Sequence, residues 1–289
     1  MNKKQYFTIF LLLTFLILTI TGCDNSTESI KQTQNITTES TELHFVELGL
    51  NLILEAENGE LVANDSELSL NKNYYAVCKN LSNEQINVSV MVLVDGMLLD
   101  NKMETKVIEG YQKEKFEFNL NSANGKNGTE VHHVSLIAQY YSNDQKPKDE
   151  LDFSNPGYNL LNYTVQLEDK SLIEPTYDTT IHKISDSLAD GWTLKLANEP
   201  EIERVFRTIL NPDPVKWFTS VNSSALGEYA YYVLGDGTLL KSGFINLEEQ
   251  GIYEDDLTAF INGNKLIYMF MITSDGEPKM IDSGIYLID

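Results

Sequence analysis

Apolar residues at every second position, cut short by Asp-Gly pairs, restrict what this chain can fold into more than any other feature. Ile86, Val88, Val90 and Val92 fall on one side of an extended backbone. Phe116, Phe118 and Leu120 do the same, and so do Val134, Leu136, Ala138 and Tyr140. A period of two is the signature of a strand with one buried face, because successive side chains point to opposite sides of the sheet. The breaks between the runs are turn chemistry: Asp95-Gly96, Gly125 to Gly128, Gly235-Asp236-Gly237 and Ser274-Asp275-Gly276. Glycine accepts positive φ, so such pairs close tight hairpins. Many short strands with regular turn signals predict a sandwich.

The pattern also repeats. Residues Met91 to Leu99 match Tyr232 to Leu240 at six of nine positions. A second pair follows in the same order, Ser142 to Pro147 against Thr273 to Pro278. Both pairs sit at a turn after an apolar strand. The expected fold class is therefore mainly β, with two tandem immunoglobulin-like β-sandwich domains. Their expected bounds are 44–170 and 176–289, joined by a linker from Glu168 to Pro175.

One segment departs from the pattern. Ile202, Val205, Phe206, Ile209 and Leu210 fall at helical spacing, after Asn198 as a cap and Pro200 in the first turn. This predicts a short amphipathic helix near 200–210, stopped by Asn211-Pro212-Asp213-Pro214. A second short helix is predicted over Tyr253 to Ile261.

The N-terminus is of a different kind. Lys3 and Lys4 precede an apolar run from Phe7 to Ile20, shorter than the roughly twenty residues a membrane-spanning helix needs. A basic flank and a short apolar stretch read as a secretory signal. The run ends in Ile20-Thr21-Gly22-Cys23, which resembles the lipobox of bacterial lipoproteins. That resemblance covers only the targeting segment. It implies a signal peptide over 1–22, lipid addition at Cys23, and a chain held at the cell membrane and facing outside the cytoplasm. Two or three acyl chains meet the requirement of stable anchoring for more than one. Residues 24–43 are rich in Ser, Thr, Asn, Gln and Glu, so 23–43 reads as a lipidated cysteine and flexible tether. The abundance of Lys, Asn and Ile favours a Gram-positive host.

Composition narrows the partners. The 289-residue chain carries a formal charge of −22, which becomes two units more negative once Lys3 and Lys4 leave with the signal. Such acidity excludes nucleic acid, which is recognised with Lys and Arg. The membrane is reached through the lipid, and the expected partner is an envelope protein or a glycan.

Chemistry-bearing residues are few. Beyond Cys23 the chain has one cysteine, Cys78, inside the apolar run Tyr74 to Cys78, where a buried, inert thiol is expected. The histidines are His44, His132, His133 and His182. Adjacent His132 and His133 point to opposite faces of a strand, so they read as surface residues rather than ligands. No metal motif, nucleotide loop or nucleophile elbow occurs, so no metal, no cofactor and no catalytic residue is expected. Glu248-Glu249 and Glu254-Asp255-Asp256 read as a solvated acidic face. Ser69-Leu70-Asn71-Lys72, Tyr141-Ser142-Asn143 and Lys241-Ser242-Gly243 resemble the three motifs of penicillin-binding serine enzymes in the right order. In that family the serine opens a helix, whereas Ser69 here leads into a strand, so a hydrolase is only a minor alternative. The weak binding candidates are Tyr229, Tyr231, Trp192 and Trp217. Tyr229 and Tyr231 share one strand face with Val233, and Ala230, Tyr232 and Leu234 share the other. One of these faces must look outward or into an interface. An exposed Tyr face could stack on sugars or grip a protein, but ordinary core packing is the first expectation for these residues, Trp192 and Trp217 included. The favoured reading is a non-catalytic interaction or spacer module, with glycan or small-ligand binding as the alternative.

Overall fold

The computed structural model describes residues 49–123, 131–142, 157–167, 176–186, 191–198, 209–261, 263–274 and 278–289. Residues 44–289 form one compact unit. Cys23 and the tether, His44, the glycine turn at 125–128, the 168–175 linker and most of the proposed 200–210 helix lie outside the described residues.

The first nine strands are β1 (Leu50–Ala56), β2 (Leu61–Val62), β3 (Glu67–Leu68), β4 (Asn73–Asn80), β5 (Ile86–Val94), β6 (Met97–Ile108), β7 (Lys113–Asn119), β8 (Val131–Ser142) and β9 (Gly157–Gln166). They form a four-stranded sheet, β2-β1-β4-β7, facing a five-stranded one, β3-β9-β8-β5-β6. Between them lies an apolar core. It takes Ile86, Val88, Val90 and Val92 from β5, Phe116 from β7, and Val134, Leu136 and Ala138 from β8. These are the faces that the period of two assigns to the interior. Cys78 is fully buried in the same core.

Nine further strands follow: β10 (His182–Ser185), β11 (Thr193–Ala197), β12 (Ile209–Leu210), β13 (Lys216–Val221), β14 (Gly227–Gly235), β15 (Thr238–Leu247), β16 (Gly251–Asp256), β17 (Leu266–Thr273) and β18 (Met280–Ile288). Their sheets are β10-β16-β13-β11 and β12-β18-β17-β14-β15. A second core lies between them, with Trp217, Tyr229, Tyr231, Val233, Met269 and Met271 among its members. Each five-stranded sheet ends in a short parallel strand, β3 on β9 and β12 on β18. The two sheets have the same order once nine is added to each strand number.

Of the proposed 200–210 helix only Ile209 and Leu210 are described, and they form a strand paired with Leu287 and Ile288. The second helix expectation is corrected. Tyr253 lies in β16, and Leu257 to Ile261 is a turn closed by bonds to the Leu257 carbonyl. Buried residues at 253, 257 and 261 mimic a helical stripe, but one comes from a strand and two from a turn.

A third apolar layer joins the two five-stranded sheets back to back. Met91, Leu93 and Ile137 meet Ala230, Tyr232, Leu234, Tyr268, Phe270 and Ile272, all buried. Tyr232 stacks on Phe270 with ring centroids 5.1 Å apart. The hairpin turns lock this joint reciprocally. Asp95 and Gly96 both have positive φ, as do Asp236 and Gly237, which is the turn geometry that matches strand twist. Tyr232 donates from its hydroxyl to the Gly96 carbonyl at 2.5 Å. In return, Ser89 and Thr105 donate to the Gly237 carbonyl at 3.0 and 3.1 Å, and Tyr141 donates to the Asp236 carbonyl at 2.9 Å. A side chain at Gly96 would press on Ala230 and Ser274, and one at Gly237 on Tyr141 and Ser89.

Each half encloses its own core, so we propose that 44–170 and 176–289 fold separately. Each then exposes a joint face and binds the other. Leu93→Asp in the first fragment should abolish that binding, seen by size exclusion, while its far-ultraviolet dichroism stays β-rich. Fragments that stay unfolded alone, or that bind despite Leu93→Asp, refute this division.

Candidate functional site

The acid residues of the two hairpin turns have a structural task. Asp95 accepts from the His133 backbone N–H at 2.8 Å, and its other oxygen lies 2.6 Å from His132 Nδ1. Asp236 accepts from the backbone N–H groups of Lys265 and Leu266. In both halves the turn carboxylate caps the start of the strand that pairs with the hairpin. His132 is therefore buried, 2% exposed, which corrects its expected place on the surface. It shares its strand face with Val134 and Leu136, and the Asp95 carboxylate supplies the polar partner a buried ring requires. His182, by contrast, is exposed on β10.

The aromatic candidates are not a surface platform. Tyr229, Tyr231 and Trp217 are buried in the second core. Trp192 packs against that core, its ring 4.9 Å from Tyr229, and its indole N–H donates to Thr219. The other face of β14, with Tyr232, enters the joint. The strand carries apolar residues on both faces because both faces are covered.

Of the two acidic stretches, Glu248 and Glu249 are exposed as expected, but the second is not a solvated face. Glu254 and Asp255 are buried, and only Asp256 is exposed. Lys216 Nζ lies 2.9 Å from Glu254, and Lys241 Nζ lies 2.5 Å from Asp255 and 3.3 Å from Asp178. Burial opposes the charge on Asp178. Hydrogen bonds from Tyr231 and Thr180, with the nearby Lys241 cation, outweigh it and hold the carboxyl well below the usual range. Lys241 is thus engaged in the second half. Ser69 and Lys72 sit on an exposed turn of the first half, between β3 and β4, and Tyr141 points its hydroxyl into the joint. The three tripeptides that resemble penicillin-binding enzymes occupy three separate settings. Among the described residues, no three His, Cys, Asp or Glu side chains converge as a metal site.

The concave surface lies elsewhere, in the first half, where the edges of β6 and β7 part. The cleft has a volume of about 570 Å³. Val90, Val92, Leu99 and Phe116 form its apolar floor, and Tyr75 and Phe118 its aromatic wall. A wide bulge opens it: Met91 pairs with Met103 and Leu93 with Leu98, so residues 99–102 oppose Val92 alone. Asp100 and Asn101 carry φ of 55° and 50°, the left-handed region that Asn and Asp tolerate. Lys102, Lys106 and Lys115 rim the opening, paired with Glu104 and Glu55. Lys106 also donates to the backbone carbonyl of Lys115 on β7 and lies 4.7 Å from the Phe116 ring.

Comparison of the halves shows why this edge is open. In the first half, β1 lies between β2 and β4, and β7 ends its sheet. In the second half, the corresponding first strand, β10, lies at the far edge instead, paired antiparallel with β16. Just before it, Tyr177 bridges to Phe244 on β15, and the Asp178 N–H donates to the Phe244 carbonyl. The segment 177–185 thus straps the mouth between β15 and β16. The equivalent mouth between β6 and β7 carries no strap among the described residues. Sequence reading missed this site because β6 and β7 look like ordinary alternating strands. Its one signal was Asp100-Asn101, polar turn-forming residues inside a long strand.

No family profile and no curated protein matches the chain. Among solved structures, it is similar to the CARDB domain of the PF1109 protein from Pyrococcus furiosus, at 17% identity and a TM-score of 0.27. That likeness covers 43% of this chain and 98% of the other. It is also similar to the YadV chaperone, at 4% identity, covering 82% of this chain and 99% of that one, with a TM-score of 0.26. A bacterial ice-binding adhesin matches at 10% identity over 83% of this chain and 63% of the other, with a TM-score of 0.22. Likenesses this distant leave the reading of the site to the chain's own residues.

Burial pushes the Cys78 thiol up to about 12 against a small opposing effect of Lys106. A raised value means the reactive thiolate is absent below that pH. The folded protein should resist iodoacetamide from pH 7 to 9 and react fully once unfolded in guanidinium. Stoichiometric labelling of the native protein at pH 8 would show an open core.

Proposed function

We propose that this chain is a lipid-anchored, non-catalytic envelope module that accepts an extended segment of a partner protein along β7. The observation that carries this is the contrast between the two halves. The second half covers its β16 edge with its own strand β10, while no strand among the described residues covers the equivalent edge of β7, which lies above an apolar floor. Edge strands recruit further strands through main-chain hydrogen bonds, with side pockets reading alternate residues. The Lys106 contact to the Lys115 carbonyl guards the edge against indiscriminate pairing, as lysines on sheet edges do. Lipid at Cys23 would hold this edge outside the cytoplasmic membrane. The acidic surface keeps the module soluble there. A second reading, a glycan or small apolar ligand, is favoured by Tyr75 and Phe118 in the cleft wall.

The test uses the whole chain in its host. Cys23→Ala should leave the membrane fraction or accumulate as precursor, and the wild type should incorporate labelled palmitate. A photo-crosslinking residue at Glu117 on β7 should then trap a polypeptide that the same residue at exposed Glu60 does not. Absent palmitate ends the anchoring part. Equal trapping at both positions, or none at Glu117, ends the strand-acceptor part. Binding to protein-free wall polymer that is lost in Phe118→Ala would favour the glycan reading.

A further inference from the structure

On the covered mouth of the second half, an amine and two carboxyl groups are held in contact. Lys241 projects from β15 and meets Asp255 of β16 at 2.5 Å and Asp178 of the strap at 3.3 Å. The Lys241 side chain is 12% exposed, Asp178 19% and Asp255 4%. The rings of Tyr231 and Phe260 lie 5.7 and 5.1 Å from Nζ. Thr180 Oγ1 contacts both carboxyl groups, 2.7 Å from Asp178 and 2.9 Å from Asp255. Tyr231 donates to Asp178 at 2.5 Å, which aims the carboxylate at the lysine.

A pair so enclosed loses hydration that contact only partly restores. An ammonium and a carboxylate in contact interconvert with a neutral amine and a neutral acid by moving one proton between the partners. These are the two forms that condense. Fixed in contact, such groups react at effective concentrations on the order of 10⁵–10⁸ M. We propose that Lys241 and Asp255 join through an intramolecular amide bond, with Asp178 relaying the proton.

The step balances without any co-reactant. The Nζ lone pair attacks Cγ of Asp255 and the Nζ–Cγ bond forms. Asp178 takes a proton from the nitrogen and passes it to the departing hydroxyl. The Cγ–O bond breaks, one water leaves, and Asp178 ends as the carboxylate it began. Asp255 is the acceptor because its oxygen is nearer to Nζ and because Tyr231 already holds the Asp178 oxygen that faces the lysine. The bond ties β15 of one sheet to β16 of the other, directly beneath the strap. It would close the second sandwich covalently.

The test is a tryptic map of the whole protein. Trypsin cuts after Lys216, Lys241 and Lys265, with no other Lys or Arg between them. An unlinked chain yields Trp217–Lys241 and Ser242–Lys265. The amide blocks cleavage at Lys241 and yields one looped peptide, Trp217–Lys265, lighter by one water. We expect the looped peptide to predominate in the wild type and to vanish in Asp255→Ala, and its fraction to fall severalfold in Asp178→Ala. Two separate peptides of full mass from the wild type would overturn the proposal, whatever the variants do. So would a looped peptide that survives Asp255→Ala, or a link from Lys241 to the peptide that holds Asp178.

Discussion

The back-to-back contact of the two five-stranded sheets is the constraint on which the rest of the structure depends. A sandwich strand normally hides one face and wets the other. Here β5 and β14 hide both, because Met91 and Leu93 on one and Tyr232 and Leu234 on the other fill a third core. The contact works only with tight turns at its ends. Gly96 and Gly237 permit the backbone of each hairpin to lie against the other sheet, where any side chain would collide. Hydroxyls of Tyr232, Ser89, Thr105 and Tyr141 then satisfy the turn carbonyls that the contact buries. The turns Asp95 and Asp236 are in turn held by their bonds to the next strand, so turn, strand and joint support one another.

With those faces occupied, the edges are where the two halves differ. Both halves share the order of their five-stranded sheets but differ in where the first strand of the other sheet goes. Moving β10 to the far edge seals one mouth with a polar network around Lys241. With β1 beside β4, no described strand covers the other mouth, above Val90, Val92 and Phe116. One architecture thus gives two halves that differ in which edge the first strand covers.

Much of the fold was legible in single residues. The inward faces of β5, β7 and β8 follow from their alternation, and Asp95-Gly96 and Asp236-Gly237 sit in the turns they imply. The inert Cys78 followed from its apolar neighbours. Failures cluster where burial comes from a second layer. His132, Glu254 and Asp255 resembled surface residues because their partners, Asp95, Lys216 and Lys241, lie 37, 38 and 14 residues away.

By itself, then, the sequence determined the β class, the hairpin turns and the inward face of most strands. These rest on local terms: the alternation of side chains along an extended backbone, and the positive φ that glycine accepts. The resemblance to a lipobox is equally local, since it rests on consecutive residues alone. The tertiary structure alone decided that two outer faces join, which edge is covered and which is open, and that Lys241 meets Asp178 and Asp255. Those outcomes depend on which sheet a strand joins and what approaches it from another layer. Both are set by the total surface removed from water rather than by any residue's neighbours in the chain.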